Sequence, residues 1–222
     1  MILIFDLDDT LYDERTYVNS GLWAVANHAH LQFGWAVGQS YEYMQAVLQA
    51  EGRGRIFDLW LGANGRANRA MVKECVRVYR HHTPLLTLAP EVNDLLATLS
   101  FDYPLYLVTD GHKIVQQKKV EALGISRYFR KIMITHRYGI HNAKPSTYCF
   151  DLIRKREGCE WHDMAYIGDN PAKDFVNLNL QGVTTIRVKT GVHRNSVAKP
   201  EFDASTSIAK ITDLLNVIAH PG

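Results

Sequence analysis

The run Met1-Ile2-Leu3-Ile4-Phe5-Asp6-Leu7-Asp8-Asp9-Thr10-Leu11 constrains this chain more than any other stretch. An apolar start that passes at once into alternating carboxylates is the pattern of a fully buried strand whose C-terminal end carries Asp6 and Asp8 out of the core. Residues two apart on an extended chain point to the same side, so the two carboxyl groups share one small space. Two like charges about 4 Å apart repel by roughly 4 kcal/mol at an effective dielectric of about 20. The pair therefore predicts either a bound metal or a proton held by one member.

Beyond Leu11 the strand pattern stops, and from about Asp13 to Leu85 only helical signals appear. Leu22, Val25, Ala26, Ala29 and Phe33 recur at helical spacing before Gly34, and a second helix is expected around Ser40 to Ala50. Gly52-Arg53-Gly54-Arg55 breaks it. A short run from Ile56 to Leu61 ends at Gly62-Ala63-Asn64-Gly65, and a fourth helix is expected from about Arg66 to His82. From Pro104 strands and helices alternate instead. Leu105-Tyr106-Leu107-Val108, Ile132-Met133-Ile134, Met164-Ala165-Tyr166-Ile167 and Val183-Thr184-Thr185-Ile186 read as strands, with helices through about Leu123 and up to about Glu157 between them. Such alternation predicts an α/β fold, a Rossmann-like parallel sheet with helices on both faces. The expected organisation is a core of residues 1–12 and 86–222 around an all-helical insert of residues 13–85. Ligands of such sheets bind beyond the C-terminal strand ends, so the polar groups at four of these ends should converge on one pocket.

Composition narrows the function classes. A formal net charge of +2 argues against a dedicated nucleic-acid binder. No apolar run approaches the roughly 20 residues of a membrane span, and the N-terminus lacks the pattern of a signal peptide, so a cytoplasmic protein is expected. Cys75, Cys149 and Cys159 show no CxxC spacing and read as small buried or half-buried thiols, and none of the histidines forms a metal motif.

Taken in order, Asp6-Leu7-Asp8-Asp9-Thr10, Thr109-Asp110-Gly111, Lys144-Pro145 and Gly168-Asp169 with Asp174 resemble the four motifs of the haloacid dehalogenase superfamily. Each follows or flanks an expected strand. The resemblance covers nearly the whole chain and implies that the helical block is a cap inserted after the first motif. It implies a Mg²⁺-dependent phosphatase acting on a small phosphorylated metabolite. A carboxylate can attack phosphorus to form an acyl phosphate, and the resemblance gives this role to Asp6. Asp8 is then the residue that protonates the leaving oxygen and later takes a proton from water. It is expected to bind the metal through its backbone carbonyl only, keeping its side chain free. Asp6, Asp8 and Asp169 are the expected metal-binding residues, with Asp174 just behind them ordering a bound water or the lysine. Thr109, Asp110 and Gly111 are assigned to phosphate binding at a helix start. Many relatives carry asparagine in place of Asp110, and this extra carboxylate has to turn away or pair with His112 or Lys113. Lys144 is the fixed cation that offsets the gathered negative charge and steadies both Asp6 and the phosphoryl group.

The insert is less constrained. Arg66, Arg69, Lys73, Arg77 and Arg80 fall on one helical face, either solvated or steering an acidic substrate. Gly52 to Arg55 suits substrate contact, and Trp23, Trp35 and Trp60 are expected in the core of the insert. A dehalogenase is disfavoured because that chemistry needs no leaving-group acid and Asp8 is present. A phosphomutase and a catalytically idle metabolite-binding protein of the same fold remain open. Neither the oligomeric state nor the substrate follows from the sequence.

Overall fold

Apolar runs bounded by turn residues become most of the six strands in the computed structural model, which describes residues 1–219. They are β1 (Ile2–Phe5), β2 (Leu105–Thr109), β3 (Lys131–Ile134), β4 (Met164–Gly168), β5 (Thr184–Val188) and β6 (Thr206–Ile208). Every pairing is parallel, in the order β3-β2-β1-β4-β5-β6. Strands β1, β2 and β4 are buried along their whole length, as a sheet covered on both faces requires. The order reverses around β1, so the crevice beyond its C-terminal end is the place where this topology binds ligands.

The helices are α1 (Glu14–Phe33), α2 (Val37–Glu51), α3 (Ile56–Ala63), α4 (Arg69–His81), α5 (Pro90–Asp102), α6 (Lys113–Leu123), α7 (Tyr148–Glu157), α8 (Val176–Gln181) and α9 (Leu214–Ala219). The chain divides into two compact units, Met1–Glu14 with Thr87–Gly222, and Arg15–Leu86. Residues 220–222 lie outside the described part. In the first unit Ile4, Tyr106, Val108, Met133, Phe150, Ile153, Tyr166 and Phe175 belong to one buried cluster. Burying each such side chain contributes about 1.5–3 kcal/mol, before the entropy cost of ordering it. The helical unit has its own core of Val18, Leu22, Val25, Ala26, Ala29, Met44, Trp60, Leu61 and Cys75. Four of the five periodic residues first seen in α1, Leu22, Val25, Ala26 and Ala29, lie in that core, and Phe33 packs partly buried against it.

Several expectations need correction. Helix α4 begins only at Arg69, because the Asn68 side chain caps it by accepting from the Met71 N–H at 2.9 Å. Arg66 is therefore off the helical face, and its guanidinium sits 5.3 Å from the centre of the Phe33 ring. Arg77 is paired with Glu74 at 2.5 Å. Trp60 is buried and Trp35 packs partly buried against the same core, but Trp23 remains 47% exposed with its ring edge on Tyr41. Helix α5 and strand β6 went unanticipated; β6 is a three-residue edge strand of which only Ile208 is buried. Cys75 and Cys149 are buried and Cys159 is half-buried; burial pushes the first two thiols up to about 11, which makes them inert. Among the described residues, no helix is long and apolar enough to cross a membrane.

Candidate active site

Asp6 follows β1 directly, and its N–H donates to the Ile167 carbonyl of β4 at 2.8 Å. This extra rung holds Asp6 level with Gly168 and Asp169 at the end of β4. Asp6, Asp169 and Asp174 are all buried, and one carboxylate oxygen of each lies within 4.8 Å of the others. Lys144 reaches the group from the loop before α7. Its Nζ lies 2.9 Å from Asp6 Oδ1 and 2.8 Å from Asp174 Oδ1, and it donates to the Tyr166 hydroxyl at 2.8 Å. Burial alone would discharge this lysine, but Asp174 and Asp6 override it and hold the ammonium charged.

The balance is still strongly negative. Burial, opposed by Lys144 and reinforced by Asp174, pushes the Asp6 carboxyl up to about 6. Burial, then Asp6, Asp174 and Asp9, pushes Asp169 up to about 8. A cluster whose members resist ionising together, and whose donors are hard oxygens, fits Mg²⁺. Asp174 already has both oxygens engaged. Oδ1 meets Lys144 and Tyr166, and Oδ2 accepts the Asn170 N–H at 2.9 Å. That suits an anchor for the lysine and the Asn170 turn more than a direct ligand.

The Asp8 side chain points to other partners. Its Oδ1 accepts from the Tyr12 hydroxyl at 2.7 Å and from Lys119 at 2.7 Å, and its Oδ2 accepts from the Gln116 amide at 2.8 Å. Lys119 also contacts Glu14 at 3.0 Å. The carboxyl is thus separate from the Asp6, Asp169 and Asp174 group.

Thr109 ends β2 and is fully buried, with its Oγ1 accepting from Gln116 at 2.6 Å. Asp110 turns its carboxylate toward Thr135, whose hydroxyl donates at 2.7 Å, toward the Lys144 N–H at 3.1 Å, and toward Lys173 Nζ at 3.4 Å. Burial works against its ionisation, yet Lys144 and Lys173 hold it below the usual carboxylate range. The extra carboxylate is therefore a brace between the strand ends, and the cation beside it is Lys173. Asp9 adopts φ +55 and accepts the N–H groups of Glu14 at 2.9 Å and Val192 at 3.2 Å. The Thr190 hydroxyl donates to its carbonyl, so the loop after β5 is tied to the first motif.

Sequence reasoning brought forward Asp6, Asp8, Thr109, Asp110, Gly111, Lys144, Asp169 and Asp174 but missed Tyr12, Gln116, Lys119, Tyr166 and Lys173. The signals available were of spacing alone, which groups residues on one face without telling that the face is buried. Gln116 and Lys119 are three apart on α6 and so share a face, and Tyr166 and Gly168 are two apart on β4.

A family model described as haloacid dehalogenase-like hydrolase matches residues 3–188. The chain belongs to that family. Among curated relatives of this haloacid dehalogenase-like hydrolase, the glyceraldehyde 3-phosphate phosphatase of Methanopyrus kandleri is 27% identical over 230 residues, covering 97% of this chain and 96% of that protein. The phosphoserine phosphatase of Thermus thermophilus is 28% identical over 200 residues, covering 88% and 76% respectively. The HAD-hydrolase YfnB from Bacillus subtilis, solved bound to magnesium, shares the fold with a TM-score of 0.73 at 19% identity, covering 99% of this chain and 98% of that one.

Proposed function

We propose that this hydrolase is a Mg²⁺-dependent phosphomonoester phosphatase that passes through an aspartyl phosphate on Asp6. The observation that carries the reading is the meeting of Asp6, Asp169, Asp174 and Lys144 in one buried group, with Asp8 held separately and Thr109 at the neighbouring strand end. Lys144 occupies Asp6 Oδ1, which leaves Oδ2 as the attacking atom. In the first step a bond forms from Asp6 to phosphorus, the ester oxygen departs, and Asp8 supplies that oxygen's proton. In the second step Asp8 takes a proton from water, the water oxygen bonds to phosphorus, and Asp6 is released with inorganic phosphate. Asp6 and Asp169, with the carbonyl of Asp8, are the groups that would hold Mg²⁺, and Asp174 steadies Lys144. When bound, the ion supplies positive charge against the phosphoryl oxygens. Thr109 donates to one of those oxygens. The helical unit is assigned the role of substrate-selecting cap.

The substrate is assigned as a small phosphorylated metabolite. The names of the two curated relatives point to glyceraldehyde 3-phosphate and phosphoserine, both primary phosphates on three carbons, and these head the panel to test. Phosphate release from such a panel is expected with Mg²⁺, lost on chelation and regained when Mg²⁺ is returned. Release that continues undiminished after metal stripping would contradict the assignment. An isomerised ester that accumulates ahead of free phosphate would replace hydrolysis with mutase chemistry.

A further inference from the structure

Gln116 is a polar side chain on the buried face of α6, 1% exposed, and nothing assigned so far to the reaction explains it. Its amide nitrogen has two hydrogens, and both are used. One goes to Thr109 Oγ1 at 2.6 Å and the other to Asp8 Oδ2 at 2.8 Å. In its ionised form the Asp8 carboxylate only accepts, and against it the amide presents nitrogen and not oxygen. Thr109 Oγ1 is then an acceptor toward Gln116, which leaves its own proton directed elsewhere. Thr109 is fully buried, and no hydrogen bond donated by its hydroxyl is found among the described residues. A buried hydroxyl proton in this state is costly unless a ligand oxygen receives it.

The same amide shapes Asp8. Among the described residues Oδ1 takes two donors, Tyr12 and Lys119, and Oδ2 takes one, Gln116. Oδ2 is accordingly the oxygen with room for another partner, and Gln116 fixes the direction in which that room faces. Space for the side chain comes from Gly111, which sits at φ +133 and where an added Cβ would stand 3.2 Å from the Gln116 side chain.

We propose that Gln116 is a positioning residue that aims the Thr109 hydroxyl at phosphate and the Asp8 carboxyl at the leaving oxygen, through one shared amide. The inference rests on the phosphatase reading and adds to it that a single helix side chain links phosphate binding to proton delivery. A merely structural glutamine would not discriminate between esters, and this one should.

The test compares the parent enzyme with Gln116→Met, which keeps length and loses both donors, and with Gln116→Glu, which keeps shape but sets a carboxylate against the Asp8 carboxylate and draws the Thr109 proton to itself. Gln117→Met, at a half-buried position of the same helix bonded to Glu121 and Arg137, is the control. With Mg²⁺ present, inhibition by inorganic phosphate is expected to weaken roughly threefold to tenfold in Gln116→Met, the worth of one hydrogen bond. Turnover of an alkyl phosphate, whose leaving oxygen needs a proton, should fall about a hundredfold, while turnover of p-nitrophenyl phosphate falls far less. Gln116→Glu should lose at least as much, and Gln117→Met should match the parent. Equal losses on both esters, with phosphate inhibition unchanged, would overturn the proposal. If Gln116→Met fails to fold, Gln116→Glu carries the same comparison. A parent enzyme that hydrolyses no ester removes the phosphatase reading and this inference with it, whereas an active parent with unaltered variants removes this inference alone.

Discussion

Asp169 holds its carboxyl near 8, raised first by burial and then by Asp6, Asp174 and Asp9. An ordinary aspartate ionises near 3.8, so without a metal the folded protein keeps a proton that the unfolded chain has lost anywhere between those values. Stability of the metal-free protein therefore falls as pH rises through that window, with Asp6 adding to the fall up to about 6. Mg²⁺ must displace these protons, so its affinity should weaken about tenfold for each pH unit from 8 down to 6, and more steeply below, where Asp6 also holds a proton. Thermal melts with and without Mg²⁺ check this. The rise in Tm caused by the ion should be larger at pH 8 than at pH 6, and an equal or smaller rise would argue against ion binding at these carboxylates. Asp6, Thr109 and Asp169 were read from the sequence because each stands where an apolar run gives way to a polar group, and Lys144 only through its place in the order of the four motifs. Gln116 and Lys119 were not. They sit inside a helix whose sequence looks like any solvated surface, and only the fold reveals that the face carrying them is buried.

At the scale of elements, the loop after β5 shows how a turn far along the chain fixes the first motif. Thr190 and Val192 both donate to Asp9, and Arg187 reinforces the loop from below by donating to the carbonyls of His193 and Ser196, each at 2.8 Å. Gly191, at φ +57, allows this approach, since a Cβ there would collide with the Asp9 carboxyl. Gly158 has a similar φ of +62 but open space around it. Gly158→Ala should then cost roughly 1–2 kcal/mol, the left-handed backbone penalty alone. Gly191→Ala should cost more and should also depress turnover, because Asp9 must shift. Chemical denaturation of the two variants separates the effects, and equal costs would mean that the loop yields without disturbing Asp9. The core strands β1, β2, β3, β4 and β5 were readable from apolar runs, with ends shifted by a residue or so. β6 was not, because Thr206-Ser207-Ile208 is short and half exposed. Helix α5 was overlooked although Pro90 stands at its first turn and Val92, Leu95, Leu96 and Leu99 are buried at helical spacing.

At the scale of the molecule, two units with separate apolar cores follow a change of periodicity, from strand to helix after Leu11 and back to alternating strand and helix, a return that the sequence showed after Pro104 but the fold places at Thr87. That change was visible in the sequence because it depends on spacing, which needs no neighbours to interpret. Substrate identity was not, since curated relatives of nearly equal identity, 27% and 28%, are named for different phosphate esters. The central claim is that Asp6 becomes phosphorylated during turnover. It is tested most directly by acid-quenching the enzyme with Mg²⁺ and a turned-over ester, reducing the acyl phosphate with borohydride, and mapping the modified residue by mass spectrometry. The account predicts modification at Asp6 and its disappearance, with turnover, in Asp6→Asn. Modification at another residue, or an Asp6→Asn enzyme that turns over near the parent rate, would contradict it.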